Sequence, residues 1–163
     1  MFKVAILTLS DKGSKGERED ASGPLIQEMI KDLPAEIIHY EIIPDEKEEI
    51  IAALKKCADR LKADLILTTG GTGLSPRDVT PDATLEVIDK EAPGFAEAMR
   101  AESLKKTPHA MISRAMVGIR GSCLIVNLPG SPKSVKENLI VILPALPHAL
   151  SKLKGDPAEC GRE

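Results

Sequence analysis

Residues 65–84 read LILTTGGTGLSPRDVTPDAT, and this stretch decides the predicted fold. The first five residues, 65–69, are aliphatic or β-branched, which predicts a short buried strand. A glycine-rich turn follows, made of Gly70, Gly71, Thr72 and Gly73. Because glycine has no Cβ, such a turn lets the backbone bend sharply and come close to a ligand. Backbone amides exposed in a turn of this kind form a concave site for an anion.

A helix is predicted to begin soon after this turn. Thr80 is the expected N-cap, and Pro81 is the expected first helical residue, where its fixed φ and missing N–H cost nothing. Arg77 and Asp78 lie between the glycines and the helix. The order of strand, glycine turn, charged loop and helix is typical of the edge at which an open α/β sheet binds a phosphorylated ligand.

Strand and helix patterns alternate along the chain, so the predicted fold class is α/β. We expect three layers, α/β/α, with a mostly parallel sheet and a possible antiparallel hairpin. Strands are predicted at 2–9, 35–43, 65–69 and 123–128, with a hairpin partner near 116–118. One helix is predicted to follow Ser22 as its N-cap. Further helices are predicted at 46–61, from 81 to about 90, and at 95–105.

A second junction of strand, glycine and helix has the sequence NLPGSPKS at 127–134. Ser131 is the expected N-cap and Pro132 the first helical residue. Free amides and a lysine at a helix N-terminus favour an anion. The junction therefore predicts nucleotide contacts from Pro129, Gly130, Ser131 and Lys133. The alternative is a well-capped helix without a ligand.

A long polar loop, SDKGSKGEREDASG at 10–23, follows the first strand. Loops of this length inside a compact domain are usually functional or mobile. Because the loop lies between a strand and a helix, we expect it at the same sheet edge as the glycine turn. The alternative is an ordinary surface loop.

Two carboxylates are expected at that edge as well. Asp45 and Asp78 each follow a strand end, next to the predicted phosphate sites. Carboxylates beside phosphates repel them unless a cation is present, so the pair predicts a Mg²⁺ site. For Asp45 the alternative is a purely structural N-cap of the next helix.

Composition excludes several classes of protein. The formal net charge is −3 and the chain has one Tyr, two Phe and no Trp, so neither phosphate-backbone binding nor base stacking is expected. Cys57, Cys123 and Cys160 are far apart, which argues against a disulfide framework or a zinc site. No apolar run is long enough to span a membrane, and we expect a cytoplasmic protein. Its length predicts a single domain at 1–155 and a short tail at 156–163.

The glycine turn and the residues after it carry a resemblance. GGTG at 70–73 and RDVTPDAT at 77–84 resemble the signature of the MogA/MoaB family of molybdenum cofactor biosynthesis. Three further stretches match the family: PGF at 93–95 with MR at 99–100, ISRA at 112–115, and NLPGSPKS. The resemblance covers nearly the whole chain and is strongest to the MogA-like members.

The resemblance implies an activity and a set of roles. MogA-like members are molybdopterin adenylyltransferases, which transfer AMP from ATP to molybdopterin and release pyrophosphate with Mg²⁺. It implies that Asp45 and Asp78 are the essential aspartates and metal ligands. Contacts to the pterin substrate are expected at Ser10, Asp11, Asp20, Ser22, Gly23, Arg77, Ser113 and Arg114. A homotrimer is implied, and the product is expected to pass to a molybdate-inserting protein.

Two alternatives to an enzyme stay open. A non-catalytic, MoaB-like module would bind molybdopterin for hand-over or scaffolding, and a general nucleotide-binding regulator would bind ATP without any pterin. The presence of both Asp45 and Asp78 favours the enzyme, because a binding module needs neither for chemistry. The sequence leaves open the preferred nucleotide and whether the chain also assists molybdate insertion.

Overall fold

A computed structural model of the chain describes residues 1–160. Six strands form one sheet: β1 (Phe2–Leu9), β2 (Ala35–Ile43), β3 (Leu65–Thr69), β4 (Lys90–Glu91), β5 (Val117–Arg120) and β6 (Cys123–Leu128). The α-helices are α1 (Asp11–Ser14), α2 (Ser22–Met29), α3 (Lys47–Lys55), α4 (Thr80–Val87), α5 (Pro93–Leu104), α6 (Pro132–Ile142) and α7 (Leu146–Leu153). A wider helical turn, Lys56–Arg60, continues α3, and short 3₁₀ segments lie at Pro108–Ile112 and Leu143–Ala145.

The sheet is mostly parallel, as the sequence predicts. Its strand order is β2-β1-β3-β6-β5-β4. β2, β1, β3 and β6 run parallel, whereas β5 is antiparallel to both β6 and β4. The β5–β6 hairpin turns at Gly121, whose φ is +58°. The predicted hairpin is therefore confirmed.

Helices cover both faces of the sheet because alternate strand residues point to opposite sides. Val4 and Ile6 of β1 belong to the core under α2, α5, α6 and α7. Ala5 and Leu7 belong to the core under α3 and α4. This is the predicted three-layer arrangement, and its two cores are almost wholly aliphatic.

The strand register brings four strand ends to one edge of the sheet. Leu9 of β1 pairs with Ile43 of β2, and Thr8 pairs with Thr69 of β3. Thr69 in turn pairs with Leu128 of β6. Since β2 and β3 lie on opposite sides of β1, the connections diverge at this point, which is where open α/β sheets form a binding crevice.

Some helix boundaries differ from the predicted ones. The helix expected to reach about Lys90 ends at Val87, because Lys90–Glu91 pairs with β5 as a short edge strand. Ser22 and Thr80 were predicted as N-caps, and both predictions are wrong, because each is the first helical residue. Their hydroxyls instead donate to Gly130 and Gly70 carbonyls, respectively.

The ends of the chain add little to this picture. Residues 156–159 lie in neither helix nor strand, and residues 161–163 of the predicted tail lie outside the described residues. The domain boundaries themselves stay a prediction. Within 1–160, no helix is long and apolar enough to cross a membrane.

Candidate active site at the carboxyl edge of the sheet

A cleft of about 580 Å³ opens at the sheet edge where the four strand ends meet. The loop after β1, the glycine turn after β3 and the junction before α6 form its walls. Ten of the residues predicted from the sequence line it: Ser10, Asp11, Asp20, Ser22, Asp45, Gly70, Gly71, Asp78, Gly130 and Ser131. Residues far apart in the chain thus share one cavity.

The glycine turn is fastened to the start of α4. Thr80 donates its hydroxyl to the Gly70 carbonyl at 2.9 Å, and its backbone N–H donates to the Gly71 carbonyl at 3.2 Å. Gly70 and Gly71 have φ of +101° and +67°, a region that other residues rarely adopt. A Cβ at Gly71 would also collide with the Thr80 hydroxyl and lie 3.1 Å from Asp45 Oδ1. The turn therefore needs glycine for its own conformation, before any ligand binds.

The second junction lies directly against the first. A Cβ at Gly130 would lie 3.4 Å from the Gly70 Cα, and the Thr69 hydroxyl donates to the Pro129 carbonyl at 2.6 Å. Ser131 is the N-cap of α6, as predicted, and accepts a 3.2 Å hydrogen bond from the Ser134 amide. Two glycine-bearing junctions thus present their backbones to the same cavity.

Asp45 is held by one of its two carboxylate oxygens. Oδ2 accepts the Asp11 amide at 3.0 Å, whereas Oδ1 is buried without a hydrogen-bond partner in residues 1–160. The alternative N-cap role is wrong, because Glu46 is the N-cap residue of α3 and no side chain caps that helix. Burial raises the pKa of Asp45, and the charges of Asp11 and Asp78 raise it further. Such an unpaired buried oxygen needs a cation or a proton.

Asp78 lies close enough to Asp45 for its charge to act on that carboxyl. Its Oδ2 accepts the Ser75 amide at 3.0 Å, which orders the loop that carries it. A Cβ at Gly73 would lie 2.8 Å from the same oxygen, so Gly73 makes room for Asp78. This glycine packs behind the aspartate and is outside the cleft lining.

The two aspartates fit a hard divalent cation such as Mg²⁺, which prefers carboxylate oxygens. The unpaired Asp45 Oδ1 is the observation that supports this. No group of three or more His, Cys, Asp or Glu side chains within 1–160 is arranged to hold a metal by itself. A Mg²⁺ ion here would complete its coordination with water and ligand oxygens, as is usual at phosphate sites.

Asp20 organises the polar loop. It accepts hydrogen bonds from the Thr8 hydroxyl at 2.7 Å, from the Tyr40 hydroxyl, and from the Ser22 and Gly23 amides. Burial pushes its pKa up, but these donors outweigh burial and lower it. Burial and the same contact raise the pKa of Tyr40 to about 12. Gly23 lies against Asp20 and Tyr40, behind the cleft wall.

The predicted substrate ligands outside the 10–23 loop lie outside the cleft lining. Arg114 donates to Asp82 at 2.9 Å and to the Asp78 carbonyl at 2.6 Å, so it clamps the 73–82 loop. The Ser113 hydroxyl accepts the Ala115 amide. Arg77 is paired with Asp11 and Glu46. Four of the predicted nucleotide-site residues also lie outside the lining: Thr72, Gly73, Pro129 and Lys133. For all of these, contact with substrate stays a prediction.

Sequence reasoning missed two cations in the cleft. Lys12 and Arg18 line it, and neither forms an ion pair within residues 1–160. Thr8, Gly13, Glu19 and Thr69 line it too. Lys12 and Arg18 lie in the polar loop between a strand and a helix, and that position was a usable signal. It identifies the loop but not the individual side chains.

The chain is similar to known proteins over nearly its whole length. Residues 5–148 match the family model described as a probable molybdopterin binding domain. The chain is 46% identical to the molybdopterin adenylyltransferase of Helicobacter pylori J99 over 94% of this chain and 88% of that one. It is 39% identical to the Escherichia coli K12 protein of the same name over 99% and 90%. A crystal structure of the molybdopterin biosynthesis enzyme MoaB from Thermus thermophilus has a TM-score of 0.91 and 53% identity, covering 98% of this chain and 100% of that one.

Proposed function

Since this chain belongs to the family of probable molybdopterin-binding domains, we propose that it is an adenylyltransferase acting on molybdopterin in molybdenum cofactor biosynthesis. The terminal phosphate of the pterin attacks the α-phosphorus of ATP. The bond from that phosphorus to the bridging oxygen breaks, and pyrophosphate leaves. The products are adenylyl-molybdopterin and pyrophosphate.

The observation that carries the proposal is the unpaired Asp45 Oδ1 inside a cleft formed by two glycine-bearing junctions. A phosphate nucleophile is already anionic, so the reaction needs no strong base. It needs two repelling anions to be aligned and the charge on the leaving group to be stabilised. A Mg²⁺ ion held by Asp45 and Asp78 would supply that charge stabilisation.

The chain's own groups account for the rest of the site. We assign the nucleotide phosphates to the backbone of Gly70–Gly71 and Gly130–Ser131, next to the N-terminus of α6, where the helix dipole favours an anion. Lys12 and Arg18 are exposed cations of the 10–23 loop in the cleft lining, and we assign them to the phosphate of the pterin. Their charge would offset the several carboxylates of the cleft during binding.

Further properties rest on the family resemblance. A homotrimer, a cytoplasmic location and hand-over of the product to a molybdate-inserting protein stay predictions. Light scattering of the purified chain tests the first, because a trimer is about three times the 17.5 kDa mass of one chain.

The test is pyrophosphate release by the purified chain with ATP, Mg²⁺ and molybdopterin. We expect release that requires all three. Binding of molybdopterin without any release would favour the non-catalytic module. Binding of ATP that is indifferent to the pterin would favour a nucleotide-binding regulator. Replacing ATP by GTP in the same assay defines the nucleotide preference.

A further inference from the structure

Asp11 and Asp45, which both line the cleft, exchange backbone-to-side-chain hydrogen bonds. The Asp11 amide donates to Asp45 Oδ2 at 3.0 Å, and the Asp45 amide donates to Asp11 Oδ1 at 3.0 Å. The two residues follow the ends of β1 and β2, which are neighbours in the sheet. With Oδ2 occupied in this way, the orientation of the unpaired Oδ1 is fixed.

Arg77 fixes Asp11 in turn. Its Nε donates to Asp11 Oδ2 at 3.0 Å and its Nη2 donates to Asp11 Oδ1 at 2.8 Å, so the guanidinium grips the carboxylate with two bonds. Nη2 also donates to Glu46 Oε1 at 2.8 Å. Both carboxylate oxygens of Asp11 are thus engaged, and Nε and Nη2 of the guanidinium are occupied by protein partners.

The arginine connects three segments of the site. It is covalently next to Asp78 in the loop after the glycine turn. Through Asp11 it holds the end of β1, and through Glu46 it holds the start of α3, which follows Asp45. Arg77 therefore links the segments that carry Asp45 and Asp78.

We infer that Arg77 and Asp11 are positioning residues for Asp45, and not the substrate ligands that the sequence predicts. Arg77 holds Asp11, and Asp11 occupies Oδ2 of Asp45, which leaves the buried Oδ1 beside Gly71 without a protein partner and available to a cation. The inference rests on the proposed function for its kinetic consequence, but the contacts that carry it are independent of the reaction.

The chain offers a matched control for this arrangement. Arg120 grips Asp59 with the same two-bond geometry, at 2.9 and 2.7 Å, and neither residue lines the cleft. Arg120→Ala therefore removes an equivalent ion pair elsewhere on the protein. Arg77→Lys keeps the charge of Arg77 but loses the planar fork, so it separates charge from geometry.

The experiment measures kcat, KM and nucleotide binding for these three variants. For Arg77→Ala we expect kcat to fall by about tenfold to a hundredfold, as small misplacements of a preorganised group do, while KM for molybdopterin changes by no more than about twofold. The kcat of Arg77→Lys should lie between those of Arg77→Ala and the parent. The kcat of Arg120→Ala should equal that of the parent. In an Asp45→Asn background, Arg77→Ala should cause no further loss, because residues acting as one unit are not additive.

Calorimetry of ATP binding gives a second readout that needs no turnover. Arg77→Ala should leave ATP affinity without Mg²⁺ unchanged and should lose the gain in affinity that Mg²⁺ gives the parent. A raised KM for either substrate at unchanged kcat, or an additive loss with Asp45→Asn, would overturn the inference. A parent protein that releases no pyrophosphate refutes the proposed function instead, and the calorimetric comparison still decides the positioning role.

Discussion

The hydroxyl of Ser22 donates a 2.7 Å hydrogen bond to the carbonyl oxygen of Gly130, which lies 108 residues further along the chain. Ser22 is 3% exposed whereas Gly130 is exposed in the cleft, so the bond is partly buried. It joins the first turn of α2 to the glycine junction before α6. The wall that carries the polar loop is therefore fixed relative to the proposed nucleotide site.

Removing this bond should weaken both the fold and the nucleotide site. Ser22→Ala removes this bond, which costs about 0.5–1.5 kcal/mol of unfolding free energy because water can reach the exposed Gly130 carbonyl. We expect a lower melting temperature and a several-fold higher KM for ATP, measured by pyrophosphate release. An unchanged KM would show that the Ser22 bond serves only the fold.

The glycines of the two junctions differ in what they can test. Gly71→Val would clash with Thr80 and Asp45, so any loss of ATP binding would be confounded by damage to the turn. An added Cβ at Gly130 meets the Gly70 Cα at 3.4 Å, an ordinary contact. Gly130→Ala should therefore fold normally and bind ATP at least about fivefold more weakly, because a methyl group occupies the path of the phosphates. Calorimetry that finds parental affinity would remove Gly130 from the nucleotide site.

Asp45→Asn and Asp78→Asn test the metal-binding carboxylates. Each should lower adenylyl transfer by about a hundredfold or more, the loss typical of one preorganised electrostatic group. Raised Mg²⁺ should restore part of the activity if weak metal binding is the cause. Asp32→Asn, at an exposed position outside the cleft, is the control and should keep parental turnover. Near-parental turnover in both cleft variants would refute the metal-carboxylate mechanism.

Asp45→Asn should also be at least as stable as the parent at pH 7. Burial and neighbouring charges raise the pKa of Asp45 in the folded protein, so its ionised form is less stable there than in the unfolded chain. The parent therefore loses stability as the pH rises above the unfolded value of about 3.9, and the variant does not. Denaturant unfolding at pH 4 and 7 should show the advantage of the variant growing with pH. An Asp45→Asn protein that is less stable than the parent at pH 7 would contradict the raised pKa of Asp45.

The unpaired cations on the loop wall should act on substrate affinity. Lys12→Ala and Arg18→Ala should each raise KM for molybdopterin by about threefold to thirtyfold, the range expected from losing one charge-assisted bond to phosphate. Folding should be unaffected, because neither side chain forms an ion pair within the described part of the chain. Lys136→Ala, an exposed lysine of α6 outside the cleft, provides the matched comparison. Equal KM values in all three variants would reject the assignment of the pterin phosphate to this wall.

Asp20 should make the stability of the loop depend on acidic pH. Its hydrogen bonds outweigh burial and lower its pKa, so its stabilising effect is present above the unfolded value of about 3.9 and is lost as the pH falls through the folded value. At pH 7, Asp20→Asn should be less stable than the parent, and the difference should shrink below about pH 4. Thermal melts of both proteins across this range make the comparison, and a constant difference would contradict the role of the charge.

The sequence by itself determined the elements and the edge of the sheet that carries the site. The β1, β2, β3 and β6 boundaries follow from local hydrophobic patterns, and the two glycine-bearing junctions follow from residue types that are specific to such turns. Asp45 and Asp78 were found because each follows a strand end. These are local signals, since each depends on neighbours a few residues away.

Only the tertiary structure decided which side chains meet. Arg77 and Asp11 are 66 residues apart, and Ser22 and Gly130 are 108 apart. Their pairing depends on the order and register of the strands, which no local pattern encodes. The same is true of the two wrongly predicted N-caps. The Ser22 hydroxyl donates to the distant Gly130 carbonyl, and the Thr80 hydroxyl donates to the Gly70 carbonyl of the preceding turn. A hydroxyl's partner is set by what the fold brings within about 3 Å of it, and that distance is a property of the packed layers, not of the chain.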